Sequence, residues 1–353
     1  MTASTTRRVD VGSGAVRVEF GSKPGLRLRA LHALSRATLR PALDGLAILA
    51  VHGPLRGKPA FRISNAAELA TIPLRPSRGT RMRRVAFPDF RAEWVWHRDH
   101  PSPDDPAAGA ILYFHGGAFV GGGLHSHRRL VGRIARDSGV PVFNVDYRQL
   151  PKAGIIEAYA DGLQAYEHLL VQGIAADKIV LAGDSAGGGI AFAIALAIRD
   201  EGLPMPGGIA AISPWANLDP EPHRQHPNNR RDAMLSAKIL AMSAVSGLAD
   251  GGELDPAWSP VNHDFTGLPP VLIQMGSEEV LLPDAELLAL RCAHAGVPYT
   301  LQIWEKAIHV FHAAADVIPE AREALADVVQ FVCEVVSPTA VAPAPLTTIR
   351  SDR

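Results

Sequence analysis

The chain is 353 residues long, 47% apolar and 20% charged, with a formal net charge of -1 at pH 7. That is enough apolar sequence for one large core or two smaller ones, and a balance this close to neutral gives no reason to expect nucleic acid as a partner. No uninterrupted apolar stretch reaches the length of a bilayer span and the first eight residues lead into no apolar core, so neither a membrane helix nor a secretory segment is expected and the cytoplasm is the default compartment.

Charge is nevertheless uneven. Residues 1–100 carry 18 Lys and Arg against seven Asp and Glu, which reads first as a solvated arginine-rich surface and second as attraction to an anionic lipid interface. Helix-like apolar spacing occupies 26–39 and 43–51, and 84–89 with 93–97 read as a leading pair of strands. The apolar run 111–114 reads as a buried strand that ends in His115-Gly116-Gly117-Ala118-Phe119. A loop of that composition brings bare backbone N–H groups close to a ligand, as an oxyanion hole requires.

A helix is expected at 128–138. His125 and His127, beside Arg128 and Arg129, fall at its start and read as a surface helix end rather than a metal or phosphate site. After a strand at 140–146 comes a helix at 155–172, on which Glu157 and Asp161 lie four apart and read as a solvated face. The next strand, 178–182, runs into Gly183-Asp184-Ser185-Ala186-Gly187 and a small-residue helix at 186–201. Strand, tight turn and helix are the context of a nucleophile elbow, in which flanking glycines let the chain turn sharply and leave the serine hydroxyl exposed. Ser185 is the candidate nucleophile, Asp184 is read as a brace for the loop, and Gly116, Gly117 and Ala186 supply the oxyanion N–H groups.

Beyond a strand at 208–213, Trp215 reads either as a pocket wall beside Ser185, together with Phe119, or as core packing. Residues 219–254 break the βα rhythm, opening on a polar run and continuing as an amphipathic helix near 235–248. A serine hydroxyl needs a base, and the base needs a carboxylate that orients it. The strand at 299–304 is followed directly by Lys306-Ala307-Ile308-His309, which makes His309 the candidate base; His312 falls in the next helical turn. The acid belongs in the loop after the strand at 271–275. Asp284, behind Pro283, is accounted for as a helix start, and spacing alone does not separate Glu278 from Glu279. Helices at 283–295 and 318–336 complete the pattern. Cys292 and Cys333 lie in apolar helical patterns and read as buried free thiols. The result is an α/β fold with an eight-stranded, mostly parallel sheet, its candidates all after the C-terminal ends of strands.

Together His115-Gly116-Gly117-Ala118-Phe119, Asp146-Tyr147-Arg148, Gly183-Asp184-Ser185-Ala186-Gly187-Gly188, Ser213-Pro214-Trp215, Glu279-Val280-Leu281-Leu282 and Ile308-His309-Val310 resemble the hormone-sensitive-lipase-like esterases, bacterial family IV of the α/β hydrolases, over roughly residues 80–336. The resemblance implies Glu279 as the acid with Glu278 second, and a helical cap built from the N-terminal helices and the 219–254 insertion. It divides the chain into an arm with cap helices (1–80), a first core part (81–218), the cap insertion (219–254), a second core part (255–336) and a flexible tail (337–353). Three departures stand out: Ala118 for a third glycine, Lys152 where an acidic residue is usual, and Pro283 for a carboxylate.

The implied activity is a serine carboxylester hydrolase for short to medium acyl chains that needs no metal or organic cofactor. Its partner is a small-molecule ester, and the resemblance leaves open a homodimer through the last strand and helix near 299–336. Two alternatives are a lactonase, amidase or acyltransferase on the same residues, and a binding protein of the same fold. The related plant receptors have lost the histidine that is present here as His309.

Overall fold

The computed structural model describes residues 5–11, 14–52, 59, 61, 62, 68–71, 75–244 and 254–337. Its strands are β1 (Thr5–Val11), β2 (Gly14–Phe20), β3 (Thr80–Ala86), β4 (Arg91–His97), β5 (Ala110–Phe114), β6 (Val142–Asp146), β7 (Ile179–Asp184), β8 (Gly208–Ile212), β9 (Val271–Gly276) and β10 (Tyr299–Trp304). They form one sheet in the order β1-β2-β10-β9-β8-β7-β5-β6-β4-β3. Every neighbour from β2 across to β6 is parallel, and antiparallel pairs close the two ends.

A parallel strand covered on both faces must be apolar at consecutive positions, and β5, β7, β8 and β9 are buried along their whole length. Because side chains alternate across the sheet, Ala110, Leu112 and Phe114 enter one core while Ile111 and Tyr113 enter the other. Helices α4 (Ile155–Val171), α5 (Ala186–Asp200) and α9 (Leu282–Ala295) cover the first face; α3 (Leu124–Ser138) and α10 (Pro319–Val336) cover the second. All eight expected strands are present, shifted by a few residues at their ends.

The sheet is longer than expected, with ten strands instead of eight. Residues assigned to an N-terminal arm form the β1–β2 hairpin, and β2 lies along β10 with Val18 opposite Leu301. Val16, Val18 and Phe20 alternate there with Arg17 and Glu19, the period-two pattern of a strand with one face buried. This pairing occupies the outer edge of β10.

Helices α1 (Leu26–Ala37) and α2 (Leu39–His52) follow the hairpin. They lie against a segment that carries the short helices α6 (Pro220–Gln225), α7 (Asn228–Arg231) and α8 (Ala237–Ser243). Two guanidiniums hold the pieces together: Arg36 donates to the carbonyls of Arg230 and Arg231, and Arg40 to those of Asn229 and Asp232. The expected continuation of the amphipathic helix past residue 244 and the tail from 338 lie outside the described residues. Among the described residues no helix is long and apolar enough to cross a membrane.

Candidate active site

At the C-terminal end of β7 the chain reverses through Ser185, whose φ of 54° and ψ of -122° put it in a region that residues with a side chain avoid. A Cβ at Gly187 would run into the carbonyl oxygen of Phe114, so glycine is required where the elbow crosses β5. The strained turn is held from the β8 side: Ser185 N donates to the Ile212 carbonyl, and Trp215 N donates to the Ser185 carbonyl, each at 2.9 Å.

Gly117 has a φ of +125°, and a Cβ there would strike the carbonyl oxygen of Gly121, while Ala118 and Phe119 also have positive φ. Ala118 therefore bears a conformational cost that a third glycine would not. Among the described residues the N–H groups of Gly116, Gly117 and Ala186 donate to no protein acceptor. Tyr147 supports the loop, its hydroxyl donating to the His115 carbonyl at 2.8 Å and its ring stacked on that of His115. Arg148 is anchored in turn by Asp161, which accepts from its backbone N at 2.8 Å and from its Nη2 at 2.7 Å. Asp161 is 1% exposed, which corrects the solvated face expected for it; a partner 13 residues away is not legible from helical spacing.

His309 Nδ1 lies 2.6 Å from Glu279 Oε2. The other carboxylate oxygen, Oε1, accepts from Gly276 N at 2.7 Å and from Ser213 Oγ at 2.8 Å, so the carboxylate is fixed from three directions. Burial by itself would lower the pKa of His309, but the Glu279 hydrogen bond and charge, with Asp232 and Asp184 further off, raise it above 6.5. Glu278 is engaged elsewhere, by Lys306 Nζ at 2.6 Å and His32 Nε2 at 3.0 Å. His312 Nε2 meets Gln274 Oε1 at 2.7 Å, and burial drives that ring down to about 3, where it stays neutral.

Four polar groups around the site were discounted or unmarked in the sequence. His127 is not a surface residue: its Nε2 lies 3.3 Å from the Asp184 carboxylate, whose Oδ1 also accepts from the Tyr113 hydroxyl at 2.7 Å. Burial pushes Asp184 up, but the His127 charge and hydrogen bond outweigh it and bring it to about 2. Asp284 does more than begin a helix, since it accepts from Ala216 N and Asn217 N and pairs with His223 Nε2 at 2.6 Å. Asp232 accepts from Met234 N, Leu235 N and Val280 N at 2.7 to 2.8 Å, joining the α6–α8 segment to the residue after Glu279. Burial first, and the Glu279 charge second, raise Asp232 to about 6. Only His127 left a usable signal, since the first turn of a helix that follows the glycine loop points back toward the elbow.

Ser185, His309, Gly116 and Gly117 border one cavity of about 710 Å³. Its remaining walls are mostly apolar: Leu39, Leu43 and Ala47 of α2 on one side, and Met234, Ile239 and Met242 on another. Among the described residues no Lys or Arg lines it. Phe119 and Trp215, expected in the pocket, do not border it. They are buried with ring centroids 5.9 Å apart, and Trp215 Nε1 donates to the Asn217 carbonyl at 2.7 Å; the reversed backbone at Phe119 turns its ring inward against Tyr147. A hydroxyl on a strained turn, a carboxylate-paired imidazole and unpaired N–H groups on one apolar cavity can together carry out acyl transfer.

The family model for the alpha/beta hydrolase fold matches residues 111–313. The chain is 37% identical over 268 residues to Esterase LipU of Mycobacterium tuberculosis, covering 74% of this chain and 89% of that one. It is 39% identical over 234 residues to an acetyl-hydrolase of Streptomyces hygroscopicus, covering 66% and 76%. Among solved structures, an esterase from the bacterial hormone-sensitive lipase family superposes with a TM-score of 0.72 at 29% identity, over 84% of this chain and 97% of the other.

Proposed function

The chain belongs to the hormone-sensitive-lipase-like branch of the α/β-hydrolase family, and from that membership we propose that it is a serine carboxylester hydrolase acting through Ser185, His309 and Glu279. The observation that carries the reading is the 2.6 Å contact of Glu279 with His309 on the cavity that also exposes Ser185. Ser185 Oγ attacks the ester carbonyl carbon as His309 takes its proton. Negative charge then develops on the former carbonyl oxygen, where the N–H groups of Gly116, Gly117 and Ala186 receive it without reorganising. Glu279 holds the Nδ1–H tautomer and stabilises the imidazolium, which protonates the departing alkoxide. Water activated by His309 releases the acid and restores Ser185.

The substrate in this proposal is an ester of a short to medium acyl chain, as the family membership implies, and an uncharged one, since the cavity is mostly apolar and no Lys or Arg lines it among the described residues. Helices α1 and α2 with the α6–α8 segment act as its cap. The reading extends to a cytoplasmic enzyme, supported by the free thiols of Cys292 and Cys333. It also extends to weak association with lipid interfaces, supported by exposed Leu26 and Leu34 on α1 beside Arg27, Arg29 and Arg36.

Hydrolysis of p-nitrophenyl esters from acetate to palmitate, with wild type beside Ser185→Ala, tests the reading. Turnover of the shorter chains is expected, with a loss of about 10⁴-fold or more in the variant while the protein stays folded. Activity retained by Ser185→Ala would require another nucleophile.

A further inference from the structure

We propose that the cleft between α3, the turn after His309 and residues 75–77 is a binding site for a small oxyanion of the phosphoryl class. Arg129, Arg133 and Arg136 stand at i, i+4 and i+7 on one face of α3, and Arg75 joins them around a cleft of about 240 Å³. Two carboxylates answer these four guanidiniums. Asp316 accepts from Arg129 Nε at 2.7 Å and Arg133 Nη1 at 2.9 Å, and Asp137 accepts from Arg136 Nε at 2.7 Å. Among the described residues two positive charges are left over, one on the helix face and one on Arg75.

The donors are also held in place without being used up. Asp316 bridges Arg129 and Arg133 and so fixes both planar forks, the geometry that suits a tetrahedral oxyanion. Arg133 Nε, buried, lies 3.4 Å from Asp137 Oδ2 as an ion pair without a hydrogen bond, and among the described residues Arg75 makes no hydrogen bond. His312 borders the same cleft. Its Nε2 faces the acceptor Gln274 Oε1 and therefore carries the ring proton, which leaves Nδ1 a bare acceptor, and Nδ1 has no partner. Guanidiniums from α3 and from Arg75 around one cleft suit a tetrahedral phosphate or phosphomonoester, whose oxygens accept from several of them at once. Ala313 borders both this cleft and the cavity of Ser185, so the two sites back onto one turn.

Calorimetric titration with sodium phosphate, at an ionic strength held constant with sodium chloride, reads the site. Saturable binding is expected in wild type and should weaken by about tenfold or more in Arg133→Gln, the loss of a hydrogen bond between charged groups. Arg75→Gln should weaken it several-fold; Arg75 anchors nothing among the described residues, so this variant keeps the test readable if Arg133→Gln misfolds. Arg83→Gln, whose guanidinium pairs with Asp104 on β3, should bind as wild type does. Co-sedimentation with phosphatidic acid vesicles but not with phosphatidylcholine vesicles, lost in Arg75→Gln, would identify a lipid headgroup as the source. Phosphate binding without vesicle binding would identify a free phosphorylated molecule. No saturable heat above the chloride background, or equal weakening by Arg83→Gln, would overturn the proposal.

Discussion

Glu279 Oε2 lies 2.6 Å from His309 Nδ1, while the adjacent Glu278 is taken up by Lys306 and His32. Two neighbouring carboxylates thus have separate duties, and their variants should separate as well. Glu279→Gln leaves His309 without its anionic partner and should lower kcat on p-nitrophenyl butyrate by about 10³- to 10⁴-fold. Glu278→Gln removes a partly exposed ion pair and should change kcat by less than a few-fold, with about 1 kcal/mol or less of stability lost. Equal losses in both variants would defeat the assignment of Glu279.

The pH dependence has a definite sign. Only neutral His309 can accept the Ser185 proton, so kcat/KM should fall as the pH drops through its pKa, with the acid midpoint above 6.5. The charged and titratable groups that bear on this ring are Glu279, Asp232, Asp184 and His312. Asp232→Asn removes one negative charge that favours the imidazolium, so the midpoint should move to lower pH. A pH–rate series on the two proteins checks this, and an upward or absent shift would mean that Asp232 acts through packing alone.

The central strands were legible because parallel strands buried on both faces leave unbroken apolar runs, as in β5 and in β7 ahead of Ser185, while β10 ahead of His309 shows as an alternation of apolar and polar residues. The β1–β2 hairpin carries a strand signal too, in Val16, Val18 and Phe20 alternating with Arg17 and Glu19, but its place beside β10 is set by a pairing about 280 residues apart in the chain. Glu278 and Glu279 look alike in sequence because their difference is made by Lys306 and His32, far away in the chain. The same holds for Asp161, Asp232 and Asp284, whose buried partners come from other elements. Phe119 was misread because a positive φ, invisible in composition, decides where its ring goes.

His312, three residues from His309, should behave in the opposite way. Its ring is held neutral, with its pKa down at about 3 against 6.5 unfolded, so its contribution to stability is complete above pH 6.5 and is lost as the pH falls toward 3. Replacement by Gln should leave the acid limb of kcat/KM in place. It should also flatten the fall in stability between pH 6.5 and pH 4. Urea unfolding at several pH values measures this, and a displaced acid limb would show that His312 takes part in the proton transfer.

Acyl-chain length should be set by the α2 wall of the cavity. Ala47 is 3% exposed and borders the cavity beside Leu43 and Leu46, so its methyl group marks space that a larger side chain would take from the substrate. Acetyl esters need little of that volume, whereas an octanoyl chain must lie along the apolar wall to gain its burial energy. Ala47→Phe should therefore reduce kcat/KM for the octanoate by about tenfold or more relative to the acetate, a difference of the size that hydrophobic pockets impose between homologous substrates. The acetate rate should stay near wild type, because Ala47 touches none of the groups proposed to react. A parallel fall for both esters would mean that the substitution displaces α2 and disturbs the site as a whole; an unchanged ratio would put the acyl chain against the wall formed by Met234 and Ile239 instead.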